Sequence, residues 1–183
     1  MTNRARALAA CAAICIAACG DPLEPVLQPL PDEPDEATLT DFRLGPLQSP
    51  AAFDLISQTN VRTDQSFGWD FLYEIDAGGE PVLRPRGEVT DLPSDAGLQT
   101  MSSSFDELTS APSEGYVTDA PLPVAVGDVL TIVSRRDPSF GTIRCRRFAK
   151  IEILSIDLSA LTLKFRHLVN PNCERLELTP GSD

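Results

Sequence analysis

Along much of the chain apolar and polar positions alternate with a period of two. The clearest run has Phe67, Trp69, Phe71, Tyr73 and Ile75 alternating with Gly68, Asp70, Leu72 and Glu74. A period of two over nine residues predicts a strand with one buried face. The glycine turn DAGGE follows, and PVLRP is expected to return as the partner strand. The same pattern predicts strands over FDLISQTNV, DVLTIVS, FAKIEILSI and LTLKFRHLV, a weaker one over GEVTDL, and an edge strand over RLEL. One short helix is expected near 103–110, where a serine at the N-cap has Glu107 three residues on and Pro112 ends the run. Sixteen prolines and many turn signals between short strands point to an all-β, mostly antiparallel fold, a sandwich or rolled sheet.

The strongest pair, Phe148–Ile156 and Leu161–Val169, reads as one hairpin turning at DLSA. With Ser159 at the centre of symmetry, Ile153 faces Phe165 and Ile151 faces His167, while Glu152 meets Arg166 on the other face. A slip of one residue mixes the faces, and a slip of two sets Lys150 against Arg166. In the favoured register Cys145 lies opposite Cys173, so a disulfide is predicted at the open end of the hairpin. A metal site is the poorer reading of these cysteines: there are two thiols, a single His167 and no CxxC spacing.

The other three cysteines, Cys11, Cys15 and Cys19, fall in an N-terminal segment of a different kind. Arg4 and Arg6 precede an unbroken run of small and apolar residues from Ala7 to Ala18, too short to span a bilayer but suited to a secretory signal. Its end, Ile16-Ala17-Ala18-Cys19, resembles the lipobox of bacterial lipoproteins. That resemblance implies a signal peptide over residues 1–18, lipidation of Cys19, and a membrane anchor made of acyl chains. Gly20 rather than aspartate follows the cysteine, which favours the outer over the inner membrane of a bacterial cell envelope. Residues 21–36 hold five prolines and six acids, so residues 19–38 read as the acylated cysteine and an extended tether, and 39–183 as a single β-rich domain.

Charge narrows the partners. The chain has fifteen Lys and Arg against twenty-seven Asp and Glu, a net of −12. Removal of Arg4 and Arg6 with the signal leaves thirteen against twenty-seven, or −14, which argues against nucleic acid. The C-terminal third is locally basic, with Arg135, Arg136, Arg144, Arg146 and Arg147 close together. Two readings stay open: these arginines are balanced by acidic loops, or they form a patch for an anionic ligand or lipid headgroup.

Candidate chemistry is sparse. The single histidine, His167, shares a face with Leu163 and Phe165 and reads as a satisfied core or edge residue. There is no G-x-S-x-G elbow, phosphate-binding glycine loop or EF-hand spacing, so neither an enzyme nor a metal site is expected. Asp70, Glu74 and Asp76 read as a solvated strand face. The segments DVLTIVSRRD, RFAKIEILSID, LTLKFRHL and FGWDFLYEID resemble strands of the HmuY-like family of bacterial surface lipoproteins, loosely over residues 53–178. The resemblance implies a mostly β fold at the cell envelope, in a family where some members bind haem through axial side chains. A second histidine for such ligation is absent, and no cofactor is expected. The sequence therefore reads as a lipid-anchored binding or interaction module, or as a structural envelope lipoprotein with a protein partner.

Overall fold

The structure, a computed structural model, describes residues 27–90, 94–137 and 145–182. Among these residues ten strands and one helical turn follow in order: β1 (Asp35–Thr40), β2 (Ala52–Asp54), β3 (Thr59–Val61), β4 (Phe71–Ile75), β5 (Pro81–Pro85), α1 (Arg86–Thr90), β6 (Gly97–Met101), β7 (Leu122–Pro123), β8 (Val129–Val133), β9 (Phe148–Asp157) and β10 (Thr162–Val169). They form two five-stranded antiparallel sheets, ordered β1-β10-β9-β8-β6 and β3-β2-β4-β5-β7. The inner faces meet in one core, with Leu39, Leu130, Ile151 and Phe165 from the first sheet and Phe53, Phe71, Tyr73 and Leu83 from the second. Phe53 and Phe165 meet edge to face across the gap, ring centroids 5.3 Å apart. The all-β reading holds, and the form is the sandwich.

The β9–β10 register is the expected one: Phe165 pairs with Ile153, Arg166 with Glu152 and His167 with Ile151. Nearer the turn a bulge shifts the pairing by one residue, so Lys164 opposes Ser155. Beyond the open end Cys145 and Cys173 are bonded, with Cα atoms 4.8 Å apart. The disulfide thus sits where the hairpin register places it.

Several expectations are corrected. The short helix is not at 103–110. The capping signal there is real, since the Ser104 amide and hydroxyl both donate to the Glu107 carboxylate and the Leu108 amide donates to the Ser104 carbonyl. The turn does not propagate: the carbonyls of Phe105 and Leu108 accept instead from the buried Lys150 ammonium, at 2.8 and 2.9 Å, and Pro112 has no N–H to offer Leu108. The helical turn lies at Arg86–Thr90, inside a segment expected as a strand; Arg84 pairs with Glu88 one turn on, and Val89 packs against Trp69 and Leu72 on the outside of the second sheet. FDLISQTNV is two short strands, because the Asp54 carboxylate accepts from the Ile56 amide and the Ser57 hydroxyl and turns the chain. RLEL forms no strand, only an isolated bridge between Ser110 and Glu177.

The strand expected from Phe67 begins at Phe71, and all five of its residues are buried because Leu72 is covered by Val61, Trp69 and Val89 on the outer face. The tether is also shorter than expected. Leu30 is buried with Phe105, Leu108 and Leu168, and Asp35–Thr40 is an edge strand on β10, so part of 19–38 belongs to the folded unit. Proline density in this segment limits helix, not an edge strand.

Candidate functional site

The predicted arginine patch is dispersed and neutralised. Arg135 reaches the carboxylates of Asp54 and Asp70 at 2.8 and 3.1 Å, and Arg136 pairs with Asp95. Arg146 pairs with Glu174 at 2.8 Å beside the disulfide, and Arg147 donates to the Ile56 carbonyl at 2.7 Å and lies 3.5 Å from Asp137. Arg144 lies outside the described residues, as does Cys19. Of the two readings, internal balance describes these four arginines.

The acids expected on a solvated strand face are largely buried. Glu74 is held by Arg43 and Arg84 at 2.9 and 2.8 Å. Asp70 has a fully buried side chain: one oxygen accepts from the Arg135 amide, the other from the Leu55 amide and the Arg135 guanidinium. Burial raises its pKa to about 6 against the pull of Arg135, whereas Asp54, also paired with Arg135, is held below its usual value despite partial burial. A buried carboxyl near neutrality beside a cation is what an acid–base site needs. Here, however, every lone-pair direction used by Asp70 goes to a structural donor joining β2, β4 and the exit of β8. Asp70 is a clamp between the sheets.

Three hollows among the described residues are small. One of about 260 Å³ has Arg86, Ser94, Asp95, Arg135 and Arg136 in its wall; another of the same size lies between Glu80 and Asp128; a third, about 250 Å³, opens between β1 and β3 with His167 in its wall. Each falls below the roughly 300–1,000 Å³ of small-molecule pockets. No group of three or more His, Cys, Asp or Glu is placed to hold a metal among the described residues.

The feature that sequence reasoning missed is an end of the sandwich. Phe42, Leu44 and Leu47 are exposed in the β1–β2 loop, Leu47 at 79%. Val126 is exposed in the β7–β8 turn and Leu158 in the β9–β10 turn. Backbone bonds bring these loops together: Asp41 donates to the Leu161 carbonyl, Phe42 to the Tyr73 carbonyl and Gly127 to the Ile153 carbonyl. Asp41 anchors the first loop, its carboxylate accepting from the amides of Arg43, Leu44 and Ile75. Five of the seven large apolar side chains exposed among the described residues therefore share one end. Around them stand Asp76, Glu80, Asp128 and Asp157, each exposed or half-buried; Arg43, in the first loop, is paired with Glu74. The opposite end holds the disulfide and the chain's entry, where the Asn172 amide bonds the backbone of Gln28 in both directions at 2.8 Å.

No local pattern announces this end, because its residues come from three loops far apart in sequence. A weak signal exists in FRLGPL, where Phe42, Leu44 and Leu47 sit in a segment with a proline and a glycine and no strand period. Comparison with protein-family models, with curated proteins and with solved structures finds no match.

Proposed function

We propose that this chain is a lipid-anchored bacterial envelope protein whose β-sandwich is a non-catalytic interaction module, and that it engages a protein partner through the apolar loop end. The observation that carries the reading is the gathering of Phe42, Leu44, Leu47, Val126 and Leu158 at one end of the fold. Exposed apolar side chains scattered singly are ordinary, whereas a group of this kind with a polar rim marks an interaction site. The acidic rim selects a partner whose apolar surface is ringed by Lys or Arg, and it repels anionic headgroups. The chain enters at the other end, so an anchor at Cys19 leaves the loop end facing away from its own membrane.

The test is site-specific photo-crosslinking in intact cells, with the crosslinker in place of Leu47 or, at the opposite end, Phe67. The expected result is one discrete protein adduct from position 47 and none from 67; the purified partner then binds at least tenfold more weakly to Leu44→Asp/Leu47→Asp. Absence of a protein adduct at 47, or lipid adducts alone, would overturn the proposal.

A further inference from the structure

On one flank of the sandwich β1 and β3 are the free edges of their sheets. They are bridged where the Asn60 side chain donates to the Thr38 carbonyl at 3.1 Å. Beside that bridge lies the hollow of about 250 Å³ whose wall includes Asp35, Glu36, Phe53, Thr59, Asn60 and His167.

His167 is the unexpected member. It is buried, with 4% exposure, and its ring packs 4.9 Å from Phe53 and 5.8 Å from Phe165. Its ring nitrogens make no hydrogen bond among the described residues, yet they are not among the sealed polar atoms left without a partner, so the exposed remnant of the ring opens to the hollow. Their hydrogen bonds are therefore left to water or to a ligand in the hollow. Burial holds the imidazole below the usual histidine pKa, against the opposing pull of Asp35, so at neutral pH it offers one N–H and one acceptor nitrogen.

The rest of the wall decides what the acceptor faces. Asp35 lies directly across the β1–β10 ladder from His167 and has no ion-pair partner among the described residues. Glu36 is exposed and pairs with Lys164. No Lys or Arg belongs to the wall. An anion meets repulsion there, and an apolar ligand leaves the imidazole unpaired. A compact cation bearing N–H groups instead donates to the imidazole nitrogen and the Asp35 carboxylate. The volume suits one head group and not a drug-sized ligand.

We infer that the β1–β3 hollow binds an alkylammonium or guanidinium group, with Asp35 and His167 as its polar contacts. The hollow lies on the flank, so this inference is independent of the loop end. Its source is either a free small amine or the Lys or Arg side chain of a peptide.

His167 is the only histidine, so its imidazole resonances report the site without ambiguity. The experiment titrates ethylguanidinium or butylammonium chloride into the chain from Gly20 onward, whose buried core lies between Leu30 and Leu178. Sodium chloride at equal ionic strength is the control. The expected result is a saturable shift with the organic cations and none with sodium, weakened about fivefold in Asp35→Asn, an exposed position whose loss threatens no core. His167→Phe, read through the Asn60 side-chain amide, is expected to abolish the response. A blocked Gly-Arg-Gly peptide binding tenfold more tightly than ethylguanidinium assigns the ligand to a peptide side chain; equal or weaker binding assigns it to a free amine. No shift, the same shift in sodium chloride, or an undiminished shift in Asp35→Asn would overturn the inference.

Discussion

Asp70 and Lys150 show how single buried charges shape this fold. Lys150 is 1% exposed, donates to two carbonyls of the 102–110 segment and lies 4.6 Å from the centre of the Phe105 ring. It ties that segment to the outer face of the first sheet, and burial lowers its pKa. Asp70 ties the two sheets through Arg135. Its folded pKa of about 6 lies above the unfolded value of 3.8, so the folded chain binds this proton more tightly. The resulting stability is fully present below 3.8 and is lost as pH rises through about 6, a change of about 3 kcal/mol for this group. The advantage of the native chain over Asp70→Asn in urea unfolding should therefore grow as pH falls from 7 to 4, and the Asp70 carboxyl carbon should titrate near 6 by NMR. A midpoint below 4, with the advantage shrinking in acid, would mean that the attraction of Arg135 outweighs burial.

At the scale of elements, the β9–β10 hairpin is the best-specified part of the chain. Its inward residues, Ile151, Ile153, Leu163 and Phe165, are all nearly fully buried, and Glu152 meets Arg166 in the expected pair. A one-residue slip would expose the whole set, which is why the apolar pattern determines the register. The bulge at Lys164/Phe165 was not legible, since it inserts one residue without altering the pattern beyond it. The disulfide closes a separation of 28 residues and on the chain-entropy model contributes about 3.5 kcal/mol. Free-thiol titration of the non-reduced chain from Gly20 should find no reactive thiol, and Cys145→Ala/Cys173→Ala should unfold at lower urea with the hairpin register intact. Two titratable thiols in the native state would contradict the pairing.

At the scale of the molecule, the two ends differ. Leu27 is eight residues on from Cys19, a reach of at most about 28 Å, and β9 alone spans ten residues, about 33 Å. Under the proposed anchoring at Cys19, the disulfide end would lie nearer the membrane and the apolar loops farther from it. The same arrangement bears on haem. Side chains suited to axial ligation are far from convergent: Tyr73 is in the core, His167 on the β1–β3 flank, Met101 accepts from Thr131 at the end of β6, and Tyr116 packs on Phe148. Haemin titrated into the chain from Gly20 at 0.15 M salt should give no saturable one-to-one Soret shift; a submicromolar shift lost in His167→Ala would instead make haem carriage the leading function.

The sequence by itself determined what depends on neighbours along the chain or on one strand facing the next. The β class follows from period-two alternation, the hairpin register from apolar and charged pairs, and the Cys145–Cys173 pairing from that register. Tertiary structure decided whatever depends on covering a second surface. The 103–110 segment stops after one turn because Lys150, 42 residues on from Leu108, takes its carbonyls. Leu72 and Glu74 are buried because Val89 and two arginines cover the sheet's outer face. The candidate sites belong to the same class. The apolar end joins three loops, and the flank hollow joins two sheet edges, so neither exists until the sheets have packed. His167 could be read as buried from its strand, but whether its nitrogens would find partners depended on β1 and β3 standing far enough apart to leave a gap.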